Sequence, residues 1–171
     1  MIRRAFLYST VLLASLWASL PAQAQVQIDN FSQADHNHMR QQVQSIETLV
    51  QMRMGTRLRG DLSDLSTLQT IIDRGLIEQD DILRLQALGA VLGNVMEAEV
   101  EQLHWKIYED EEGRSRALCI ANTQHCLFPI TMLSRRMTVG LKPNVQEIYD
   151  NAMELIAPYL PQLPYTGTDY N

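Results

Sequence analysis

HWKIYEDEEGRSRALCIANTQHCLFP, residues 104 to 129, decides the fold of this chain. Three short runs rich in aromatic and aliphatic residues, HWKIYED, RSRALCIA and HCLFP, are separated by DEEG and by ANTQ. Runs of that length and content between turn-forming clusters read as three antiparallel strands joined by two tight turns. In the first, Trp105 and Ile107 share one face and His104, Lys106 and Tyr108 the other, so the sheet is expected to be buried on one side. Gly113 supplies the positive φ that the first turn needs.

The same stretch holds the two cysteines of the chain, Cys119 and Cys126. If Asn122 and Thr123 form the tip of the second hairpin, Cys119 stands directly opposite Cys126. Opposed residues have Cα atoms about 4.5 to 5.5 Å apart, within the reach of a disulfide. Zinc wants four ligands, or three and a water, and His125 would point to the face opposite Cys126. The two-spacer redox motif is absent, so a disulfide staple is the favoured reading over metal or redox chemistry.

The N-terminus supports an oxidising compartment. MIRRAFLYSTVLLASLWASLPAQAQ begins with Arg3 and Arg4, continues apolar to Leu20, and closes with Pro21 and Ala22-Gln23-Ala24. Those are the parts of a cleavable export signal spanning 1–24, and the apolar run is shorter than a bilayer span needs. Arg3-Arg4-Ala5-Phe6-Leu7 also resembles a twin-arginine signal core, which leaves two export routes open. The expected location is periplasmic, with no membrane span after cleavage.

Removing that leader with its two arginines leaves 12 basic against 20 acidic residues, a net charge near −8. Such a balance argues against nucleic acid, which demands a concentrated basic face, and admits a basic protein partner. The remaining chain suits one domain, expected at 25–160, with a flexible tail at 161–171 broken by Pro161 and Pro164.

Before the strands the periodicity turns helical. Met39, Val43, Ile46, Val50 and Met54 recur at three and four, predicting a helix over 33–58 closed by Gly55 or Gly60. A second is expected over 63–74 with Leu65, Leu68, Ile71 and Ile72 inward, and a third from Asp80 or Asp81 to about Leu103. The third carries LGAVLG, whose Gly89 and Gly93 share a face and predict a close crossing by another element. After Phe128-Pro129 a short helix to about Met137 is expected, then a last one over 144–157, capped by Asn144 with Glu147. The predicted architecture is α+β: N-terminal helices packed on a three-stranded antiparallel sheet, followed by two further helices.

Catalytic signatures are missing: there is no GxSxG, HExxH, phosphate-binding glycine loop or calcium-loop spacing. Asp35-His36-Asn37-His38 reads as a solvated helix start, because histidines two apart on a helix diverge. Glu109-Asp110-Glu111-Glu112 reads as a polar turn tip, and Arg135-Arg136 as a solvated pair that could otherwise grip an oxyanion.

The succession Leu88-Gly89 and Leu92-Gly93, Trp105, Glu109 to Gly113, Phe128-Pro129, Met132 and Arg135-Arg136 resembles the bacterial family known as domain of unknown function 3806, across 88–156. The resemblance implies a small α+β domain with no assigned activity, and it carries over no functional residue. The leading expectation is an exported module that binds another protein, with no cofactor and no metal. Two alternatives stand beside it: a hydrolase or transferase assembled from His104, Glu109 and Arg136, and a structural component of the envelope. The candidate site residues are His104, Glu109, Arg135 and Arg136.

Overall fold

The computed structural model describes residues 26–161. The leader read at 1–24 and the tail read from 161, apart from Pro161 itself, lie outside the described residues. The element order is β1 (Gln27–Asn30), α1 (Gln33–Met54), α2 (Ser63–Asp73), α3 (Ile82–Glu99), β2 (Leu103–Asp110), β3 (Gly113–Ile120), β4 (Cys126–Leu127), α4 (Pro129–Met137) and α5 (Val145–Ile156). A single 3₁₀ turn, Ala157–Tyr159, follows.

The fold is α+β, but its antiparallel sheet has four strands rather than three, in the order β1-β2-β3-β4. The added strand is β1, which pairs Gln27 with Glu109 and Asn30 with Lys106. Its sequence, QIDN, carries one apolar residue and no alternation, so its strand character comes from the ladder offered by β2. The third helix ends at Glu99 instead of running to Leu103. Val100 takes extended backbone, and Leu103, although it continues the apolar run, opens β2.

Trp105 and Ile107 turn inward with Leu103, and Leu118 and Ile120 of β3 join them. The opposite face of β2 is less buried, with His104 exposed and Lys106 and Tyr108 half-buried. Gly113 closes the first hairpin at φ 115°, and Asn122 turns the second at φ 61°. Cys119 faces Cys126 in register, and the pair is bonded with Cα atoms 4.0 Å apart.

At the centre lies α3. From Leu85 to Met96 nearly every residue is buried, as expected of a helix apolar all round. On one side it meets α1 and α2 through Ile46, Val50, Leu68 and Ile71, and the start of α4 crosses its small-residue face. A Cβ at Gly89 would strike the backbone of Pro129 and Ile130, and one at Gly93 would strike the Trp105 ring. Both glycines are therefore required by close approach. Pro129 begins α4 where a missing N–H costs nothing. Asn144 caps α5 by accepting from the Glu147 N–H at 3.1 Å, and Gln69 Oε1 accepts from Val145 N at 2.8 Å, tying α2 to α5.

Candidate functional site

Where β1 ends, the chain turns through Phe31 into Ser32, which caps α1. The Ser32 hydroxyl accepts from Asp35 N at 3.3 Å, and Ser32 N donates to the Asp35 carboxylate at 2.9 Å, a reciprocal capping box. That turn plants Phe31 beside Trp105, ring centroids 6.1 Å apart, with His36 edge-on to Phe31 at 5.3 Å. Farther along α1, Met39, Val43 and Glu47 recur every four residues and form one wall of a cleft. Val91, Asn94 and Glu97 of α3 make the floor, His104 to Lys106 of β2 the facing wall, and Leu58, Gly60 and Asp64 close one end. The volume is about 840 Å³, ample for a ligand or a set of partner side chains.

The acids of this cleft are engaged in holding its walls. Glu47 accepts from Leu58 N and from the Gln51 amide, each at 2.8 Å. Asp64, 1% exposed, accepts from Arg59 N at 3.0 Å and from Gly60 N at 2.7 Å, fixing the loop before α2. Glu97 accepts from Trp105 N at 3.2 Å, and Asn94 Oδ1 accepts from the Trp105 indole at 2.9 Å. Two cations, Arg40 and Lys106, reach the neutral side chains of Asn37 and Asn30. The arrangement offers an apolar, aromatic body with polar edges, among them the imidazoles of His36 and His104.

Of the candidate site residues His104, Glu109, Arg135 and Arg136, only His104 lines this cleft, joined there by His36 of the Asp35-to-His38 stretch. Glu109 lies five positions along the same strand, opposite Arg114 in register and on the other face. Arg135 and Arg136 sit exposed on the last turn of α4, where Arg136 Nη1 donates to the Met132 carbonyl at 2.6 Å. The structure does not bring His104, Glu109 and Arg136 together. His125, considered as a partner for the cysteines, is exposed and stacks on Tyr159 with centroids 3.6 Å apart. Among the described residues no group of three or more His, Cys, Asp or Glu is placed to hold a metal.

Asp35 corrects the reading of a solvated helix start. It is 8% exposed, and Arg114 Nη2 donates to both of its oxygens at 3.0 Å. Hydrogen bonds from Ser32 side chain and backbone, then Arg114, hold its carboxyl at about 2 against the usual 3.8. The sequence reading missed the capping half, for which Ser32-Gln33-Ala34-Asp35 is the local signal. The Arg114 half joins residues 79 apart and leaves no local signal.

Residues 64–149 match the family described as "Domain of unknown function (DUF3806)". A crystal structure from Bacteroides thetaiotaomicron superposes with a TM-score of 0.69 at 19% identity, over 75% of this chain and 47% of that one. At that identity the likeness shows the fold, and the chain spans about half the length of that structure. No curated protein matches the chain. The family segment supplies the floor and the β2 wall of the cleft, whereas Phe31, His36 and the α1 wall precede it.

Proposed function

The chain belongs to the family described as domain of unknown function DUF3806, and on that footing we propose that it is an exported module that binds another protein through the cleft between α1, α3 and β2. The observation that carries this reading is the cleft itself, about 840 Å³, with carboxylates committed to backbone N–H groups rather than free to act on a substrate. Apolar side chains of the guest would pack against Phe31, Met39 and Val43. The acidic balance of the chain favours a basic partner by long-range attraction. Export is supported by the signal-like N-terminus together with the Cys119–Cys126 bond, which oxidising compartments preserve.

The test is crosslinked capture from an envelope extract, at low and high salt, using the chain from Gln25 and its Val43→Trp variant. Val43 is partly exposed in the cleft wall, so an indole there fills the cleft while α1 keeps its core face. An unchanged unfolding midpoint would establish that the variant folds. A basic protein recovered with the parent chain and lost with the variant is the expected result. Equal recovery from both would overturn the cleft as the docking site, and no specific recovery from either would overturn the binding role.

A further inference from the structure

We infer that the small cavity between β3 and the start of α4 is a binding site for an oxyanion of phosphate size, separate from the cleft. Arg114 and Arg116 lie two apart on β3 and therefore on one face, and both line this cavity with Gln86 of α3 and Thr131 of α4. Its volume is about 160 Å³, the liquid share of about five waters.

Charge is unbalanced there. Arg114 shares Asp35, but Arg116 donates to a neutral acceptor, Gln42 Oε1, at 2.7 Å. Among the described residues Arg116 forms no ion pair, and Glu109 stands opposite Arg114 without bonding to it. Outside the cavity lining, on α1, Gln42 Nε2 is buried with no hydrogen-bond partner. The contact between α1 and β3 thus holds two guanidiniums and an amide against one carboxylate and one amide oxygen. Burial pushes the Arg116 guanidinium down from its ordinary value; the Asp35 charge opposes this, and the neighbouring Arg114 charge adds a smaller downward push.

Ile130 and Thr131, the second and third residues of α4, line the same cavity, so the positive end of that helix adds to the field. A tetrahedral oxyanion in the cavity would accept from the Arg114 and Arg116 guanidiniums in the planar, charge-assisted geometry they favour and balance their charge.

Thermal unfolding of the chain from Gln25 in phosphate, against chloride at equal ionic strength, tests the site. At about a hundredfold excess over Kd, one bound anion should raise the midpoint by about 5–10 °C, growing with the logarithm of phosphate concentration. Arg116→Gln, which leaves the Asp35–Arg114 pair intact, should abolish that rise. Gln86→Glu, which places a permanent carboxylate in the cavity, should raise the midpoint in chloride and also abolish the response. No rise in the parent chain, or the same rise in all three chains, would overturn the assignment.

Discussion

Replacing Gly89 with alanine is expected to destabilise the protein, although alanine is the better helix former. In an exposed helix the change would favour folding by about 1 kcal/mol. Here the new Cβ would meet the Pro129 oxygen and the Ile130 Cα, and it would stand 2.7 Å from the Ile130 oxygen, where ordinary contact begins near 3.4 Å. All three are backbone atoms, so no side chain can swing aside. The start of α4 must retreat from α3 by at least about 0.7 Å. Overpacking of a filled interior costs about 1–3 kcal/mol, and contact with backbone puts this site at the upper end. Subtracting the propensity gain leaves a net loss of about 2 kcal/mol, or a midpoint lower by about 4–8 °C for a domain of this size. Thermal and urea unfolding followed by far-UV circular dichroism measure it. A Gly89→Ala variant as stable as the parent, or more so, would refute the close crossing of α3 and α4. Gly93→Ala serves as a companion, because its Cβ would strike the Trp105 ring, which its bond to Asn94 holds in place. Trp105 is the only tryptophan among the described residues, so its emission should shift in that variant.

Two further outcomes follow from named contacts. Replacing Cys119 and Cys126 together by alanine should lower stability by about 2.5 kcal/mol on the loop-entropy estimate. Intact mass after alkylation without reductant checks the premise, since two labelled thiols in protein from an oxidising compartment would contradict the bond. Because the Asp35 carboxyl is held at about 2 rather than 3.8, its contribution is complete above pH 3.8 and is lost as pH falls toward 2. Urea midpoints of the parent and Asp35→Asn should therefore converge across that window, and a constant difference from pH 6 to pH 2 would refute the assignment.

What the sequence made legible was local or directly periodic. The stripe on α1 from Met39 to Met54, the Gly89 and Gly93 pair and the opposed cysteines each depend on spacing within one element or hairpin. What it concealed depends on distant partners. Asn30 pairs with Lys106 across 76 positions, and the polar strand containing Asn30 exists only because that partner is present. The boundary at Leu103 was hidden because an apolar residue serves a helix face and an inward strand position equally well. The cleft draws on four separated segments, with Met39, Asp64, Asn94 and Trp105 as examples, so no motif could announce it. His104 was visible beforehand as a polar residue on a strand, but not as part of a wall.

The contact of Gly93 with Trp105 has an evolutionary consequence. One ring serves both as a member of the packed interior and as a surface the guest would meet. On the binding reading proposed above, a lineage would alter its guest through changes on the buried side of α3, without touching a residue at the mouth. On that reading, selection for a sounder core and selection for a different guest would converge on that position.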